Sequence, residues 1–127
     1  MKILIVDDSK AMRMIVMRTL RQAGFGDHEF IEAGNGSEGI QKVKSENPGL
    51  ILSDWNMPVM SGIELVEAVR ARRELNSLKL IMVTSNTELE RMARALEAGA
   101  DDYMMKPFTK EALLERLRFH RLVPGGA

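Results

Sequence analysis

Asp7, Asp8, Asp54 and Lys106 are the residues of this chain whose types and spacing could do chemistry. Each stands at the end of an apolar run. Ile3, Leu4, Ile5 and Val6 lead into Asp7 and Asp8. Leu50, Ile51 and Leu52 lead, through Ser53, into Asp54. Tyr103, Met104 and Met105 lead into Lys106 and Pro107. If each run is a buried parallel strand, all four charged groups meet at one edge of one sheet, where open α/β sheets place their ligand sites. Three carboxylates gathered there repel one another and cannot all stay ionised unaided. A divalent cation with oxygen ligands relieves that conflict, and two consecutive carboxylates, one binding directly and one through a water, suit magnesium. With Lys106 and such an ion, the formal charge of the group is zero. A carboxylate beside the cation, as Asp54 would be, has the position of a nucleophile that accepts a phosphoryl group. Thr84, at the end of the run Ile81-Met82-Val83, could donate its hydroxyl to a phosphoryl oxygen, and Lys106 is a compact cationic phosphate partner. Every one of these residues has an ordinary alternative. Acidic residues favour the first turns of helices, Asp is common in strand-to-loop turns, and hydroxyls cap helices. The joint placement at strand ends carries the argument.

Five strands must do this positioning, and the pattern predicts them at residues 2–6, 28–32, 50–53, 79–83 and 102–105. The first, third and fourth are continuous apolar runs, as expected for strands covered on both faces. Helical patterns lie between them. Met12, Ile15, Val16, Leu20 and Ala23 share one face of the first, with Ser9 as N-cap and Gly24 as stop. Ile40 and Val43 anchor the second, which ends before Pro48. Leu65, Val66 and Val69 mark the third, opening at Ser61 and Gly62. Leu89, Met92, Ala93 and Leu96 mark the fourth, closed by Gly99. Leu113, Leu114 and Leu117 mark the fifth, capped by Thr109. Strands alternating with helices of this length imply right-handed βαβ units, hence a doubly wound α/β fold: a five-stranded parallel sheet with helices on both faces.

The bulk composition bounds the rest. A chain of 127 residues, 45% hydrophobic and 28% charged, builds one domain with one core. That domain is expected over residues 1–122, with 123–127 as a flexible tail. Formal net charge is zero, which supports neither a nucleic-acid binder nor a polybasic membrane anchor. With no cysteine there are no disulfides and no thiolate zinc site. No signal-peptide pattern and no apolar stretch of membrane-span length occur, so a cytoplasmic location is expected.

At this point the chain resembles a known family. Val6-Asp7-Asp8-Ser9 with Met12-Arg13, Ser53-Asp54-Trp55-Asn56-Met57-Pro58, Gly62-Ile63-Glu64-Leu65, Met82-Val83-Thr84, Ala98-Gly99-Ala100 and Tyr103 through Lys106-Pro107-Phe108-Thr109 are similar to the receiver domains of two-component response regulators. The Ser-Asp-Trp-Asn-Met-Pro string favours the stand-alone chemotaxis regulators among them. The resemblance covers essentially the whole chain and implies a flavodoxin-like fold. It implies that Asp54 is the phosphoacceptor, that Asp7, Asp8, Asp54 and the Asn56 carbonyl hold magnesium, that Thr84 and Lys106 contact the phosphoryl group, and that Tyr103 is an aromatic switch. It implies a sensor histidine kinase as donor, a phosphorylation-dependent target such as a flagellar motor switch protein, and a possible phosphatase. The protein is then a signalling module and not an enzyme, assisting only its own phosphorylation and dephosphorylation. Two positions depart from the family. Ser61 stands where Asp is common, and Asn86 stands where the chemotaxis regulators have Glu, which leaves phosphoryl lifetime and phosphatase use open.

Rival readings use some of the same residues. Gly34, Gly36 and Gly39 spell G-x-G-x-x-G between a strand and a helix, and Asp54 lies twenty residues beyond Gly34, as in a dinucleotide-binding enzyme. That reading follows the wrong strand and leaves Asp7, Asp8 and Lys106 idle. A phosphorelay intermediate that passes phosphate to a histidine phosphotransferase would use the same site, with the first-helix surface around Met14, Met17 and Arg18 as its docking face.

Overall fold

A computed structural model of the chain describes residues 1–55, 60–75, 77–84, 89–106 and 108–122, apart from the side chains of 89–91. Strands β1 (Lys2–Val6), β2 (Glu29–Ala33), β3 (Leu50–Asp54), β4 (Lys79–Thr84) and β5 (Asp102–Met105) form one parallel sheet in the order β2-β1-β3-β4-β5. The helices are α1 (Lys10–Leu20), α2 (Gly36–Glu46), α3 (Gly62–Arg70), α4 (Leu89–Ala98) and α5 (Lys110–Phe119). The doubly wound arrangement expected from the alternating pattern is the one observed.

Alternation along the strands builds two core layers. Ile3 and Ile5, Leu50 and Leu52, Ile81 and Val83 face α1 and α5, where Val16, Met17, Leu20, Leu113 and Leu117 close over them. Leu4 and Val6, Ile51, Leu80 and Met82 face the other way, against Val43 of α2, Leu65, Val66 and Val69 of α3, and Ala95 of α4. Burying each large aliphatic side chain is worth about 1.5–3 kcal/mol. The central strands are therefore fixed in register from both sides.

Local signals start and stop the helices. Ser9 and Thr109 accept the N–H groups of Met12 and Ala112, and Ser61 forms a reciprocal capping box with Glu64. Gly24 adopts φ 99° in a wide turn after α1, and Gly99 adopts φ 118° after α4. Asn47 takes the left-handed conformation just ahead of Pro48. At the end of the sheet away from the strand carboxyl termini, Arg70 donates to the carbonyls of Gly99, Leu75 and Leu78 and to Asp101, which also accepts the Leu80 N–H.

Some expectations need correction. The second strand begins one residue later than expected, because His28 N–H donates to the Phe25 carbonyl and closes the preceding turn. On α1, Ile15 is 52% exposed, and Met17, expected on a docking surface, is buried. The stripe that meets the sheet and α5 runs through Val16, Met17 and Leu20, which turns Ile15 outward. On α4, Ala95 is fully buried while Ala93 and Leu96 face out. A small residue sits where this helix approaches the sheet, so side-chain size misled the pattern. Asn56, Met57, Pro58, Asn86, Pro107, the tail 123–127 and the Leu89 side chain, all named in the sequence reading, lie outside the described residues. Among the described residues, no helix is long and apolar enough to cross a membrane.

Candidate functional site at the carboxyl edge of the sheet

The register levels the strand ends. Val6 stands beside Ser53, Asp54 beside Val83, and Val83 beside Met104. The residue after β1, the last residue of β3 and the residue after β5 therefore converge. Lys106 Nζ lies 3.3 Å from Asp7 Oδ2 and 3.4 Å from Asp54 Oδ1. Asp7, Asp8 and Asp54 offer carboxylate oxygens that all lie within 4.8 Å of one another.

The three carboxylates differ in environment. Asp7 is buried, and its Oδ1 accepts the Ser9 N–H at 2.9 Å while Oδ2 faces Lys106. Asp54 is partly buried, and its Oδ1 accepts the Trp55 N–H at 2.9 Å. Asp8 is exposed, and among the described residues it accepts no hydrogen bond. Burial pushes the Asp54 carboxyl above the ordinary carboxylate range; Lys106 pulls it back, and the charge of Asp7 adds to the rise. The cluster of three carboxyl groups is thus partly offset by one ammonium, which meets two of them, Asp7 and Asp54. A divalent cation fits this donor set. Its ligands are hard oxygens, one of them unengaged, and the formal charge that Lys106 leaves uncompensated matches that of the ion.

The other expected residues are placed unequally. Thr84 is buried at the end of β4, and its carbonyl accepts the Lys106 N–H at 2.8 Å, which ties the lysine's main chain to the β4 terminus. Tyr103 stands apart from the cluster. It lies beside Met82 on β5, partly buried at the margin of the core layer under α2, α3 and α4. Arg13 stands in the first of the family-like motifs, and its residue type alone assigns it no role. The structure puts its guanidinium on the Asp7 carbonyl and, at 2.9 Å, on Glu32 of β2. A main-chain acceptor leaves no mark in a sequence, so nothing beyond the residue type pointed there.

The glycine motif is occupied by its own neighbours. Asn35 caps α2, the Glu38 carboxylate accepts the Gly34 N–H at 2.8 Å, and a Cβ on Gly36 would stand 2.7 Å from the Met60 carbonyl oxygen. These glycines let α2 pack on the segment that follows β3, which accounts for them without a pyrophosphate.

Comparison with known proteins agrees with this geometry. Residues 3–118 match the response regulator receiver domain. A chemotaxis protein CheY homolog of Campylobacter jejuni is 42% identical over 118 residues, spanning 92% of this chain and 89% of its own. Chemotaxis protein CheY of Pseudomonas aeruginosa is 41% identical over 117 residues, with 92% and 93% covered. The structure of the chemotaxis response regulator CheY4 of Vibrio cholerae superposes with a TM-score of 0.82 at 37% identity, covering 93% of this chain and 96% of that one. The family match spans nearly the whole chain and takes in every charged group at the carboxyl edge of the sheet: the protein belongs to the response regulator receiver domain family.

Proposed function

We propose that the protein is a single-domain response regulator, one receiver unit over residues 1–122, phosphorylated on Asp54 by a sensor histidine kinase. The observation that carries this reading is the convergence of Asp7, Asp54 and Lys106 around one point, with Asp8 open beside them. An oxygen of Asp54 would attack the phosphorus of a phosphohistidine. The bond to the histidine nitrogen breaks with its electron pair, and an acyl phosphate forms on Asp54. Lys106 stands where it can follow the new phosphoryl oxygens, and the Thr84 hydroxyl is the second candidate donor. Magnesium is the ion we assign to Asp7, Asp8, Asp54 and the Asn56 carbonyl; when bound it would supply positive charge to the phosphoryl oxygens.

Tyr103 is the residue we assign to relay the change, selecting between two pre-existing states of the surface around β5. The output is binding to a partner protein in the cytoplasm. Relatives named as chemotaxis proteins support a flagellar motor switch component as that partner, with a phosphatase as a further one. One observation favours a second reading, the phosphorelay intermediate: Met14 and Ile15 on α1, the helix that follows Asp7 and Asp8, are each 52% exposed, which suits docking of a histidine phosphotransferase.

Incubation with acetyl phosphate and magnesium should add one phosphoryl group, seen by intact mass. Asp54→Asn, or a chelator, should abolish it. Labelling of Asp54→Asn at the wild-type level would sink the assignment.

A further inference from the structure

Asp7 is held at every polar atom. Its N–H donates to the Ala33 carbonyl of β2 at 3.1 Å, and its two carboxylate oxygens meet the Ser9 N–H and Lys106. The remaining atom, its carbonyl oxygen, accepts from Arg13 Nη1. That carbonyl belongs to the peptide joining Asp7 to Asp8, so whatever fixes it fixes the plane from which the exposed Asp8 carboxylate departs. Arg13 is well placed for this. Its side chain is only 15% exposed, it is anchored one turn into α1, and its Nε is bonded to Glu32 Oε1 at 2.9 Å. A chain of contacts therefore runs from β2 through Glu32 and Arg13 to the main chain between the two acidic residues.

We propose that Arg13 is a positioning residue for the metal site, setting the orientation of the Asp7–Asp8 peptide and so the placement of Asp8 toward the cation. The inference rests on the assignment of magnesium to this cluster. Outer groups that orient metal ligands are commonly worth about 10- to 100-fold in metal affinity. Here Arg13 acts on a main-chain link with several other supports, so the lower end applies.

The sign of the effect separates positioning from charge. An arginine acting only through its charge repels a cation, and removing it would tighten binding. A positioning arginine, when removed, weakens binding. Lysine keeps the charge but offers one ammonium in place of a fork that reaches Asp7 and Glu32 together. Magnesium titrations should follow Trp55 fluorescence, with calorimetry as a second measure, on wild type, Arg13→Ala, Arg13→Lys and Asp8→Ala. Circular dichroism confirms that each is folded. We expect both Arg13 variants to bind magnesium on the order of tenfold more weakly than wild type. Equal or tighter binding by Arg13→Ala, or wild-type affinity in Arg13→Lys, overturns the inference. Should Arg13→Ala not fold, the lysine variant decides alone. A wild type that gives no magnesium response, or an unchanged Asp8→Ala, overturns the metal assignment and this inference with it; a normal wild-type response with unaltered Arg13 variants overturns the inference alone.

Discussion

Asp54, the phosphoacceptor we propose, sits in a place that is poor for a carboxylate. Its charged form is opposed by burial first and by Asp7 in addition, with Lys106 acting the other way. A carboxyl raised in the folded state stabilises the fold fully only at pH values below its ordinary range, and that contribution is lost as pH rises through the raised value. At neutral pH in a chelator, the ionised Asp54 is therefore a strain on the folded protein. Asp54→Asn should unfold at higher urea than wild type at pH 7.5. The gap should close as pH falls through the raised Asp54 value toward the ordinary carboxylate range, and should narrow at neutral pH when magnesium is added. A variant no more stable than wild type in the chelator would show that Lys106 already balances the site. At this scale the sequence was readable where chemistry depends on side-chain type at a strand end, as for Asp7, Asp8, Asp54 and Lys106. It was silent where a side chain reaches a main-chain carbonyl, as Arg13 does at Asp7 and Arg70 does at Gly99, Leu75 and Leu78.

Among the elements, the start of α3 packs directly on the end of β3 that carries Asp54. Gly62 N–H donates to the Trp55 carbonyl at 3.0 Å, and a Cβ on Gly62 would stand 2.2 Å from the Asp54 carbonyl oxygen and 2.6 Å from Met82 Cε. Methionine can swing aside, but the Asp54 main chain cannot without moving the carboxylate. Gly62→Ala should cost about 3 kcal/mol in denaturant unfolding. Where the protein stays folded, it should also slow acetyl phosphate labelling of Asp54. Loss of stability with an unaltered labelling rate would mean that α3 moves and β3 does not. The strands themselves were legible because a strand covered on both faces is apolar at every position, a signal that does not depend on facing direction. Helix orientation was less so. A pattern of apolar residues ranks Ile15 and Leu96 as core candidates by size, whereas packing distance decides, and it chose Met17 on one helix and Ala95 on the other.

Over the whole molecule, the sheet separates a structural end from the end that carries the acidic cluster, and β5 is the strand to which we assign the link between that cluster and a surface. Arg70 and Asp101 tie α3, β4 and the start of β5 together at the structural end. At the other end, Lys106 N–H is bonded to the Thr84 carbonyl, so a pull on the lysine is felt by the termini of both β4 and β5. Tyr103 lies on the strand between these two fastenings, partly buried and packed at the margin of the core. On the elements that flank it, Leu96 of α4 and Met105 of β5 are each 44% exposed, and Lys110 of α5 is exposed. Such a face suits an amphipathic acidic segment of a partner. An aromatic anchor at an interface commonly contributes more than 1 kcal/mol, so Tyr103→Ala should weaken binding of the phosphorylated protein to its target by about tenfold. Phosphorylation of Asp54 should remain near normal, because Tyr103 stands outside the acidic cluster. The measurement is a pull-down titrated with the protein loaded with beryllofluoride, alongside acetyl phosphate labelling of the same variant. Tight, unchanged binding by Tyr103→Ala would remove the switch from β5 and move the docking face to the α1 surface around Met14, where the relay reading places it.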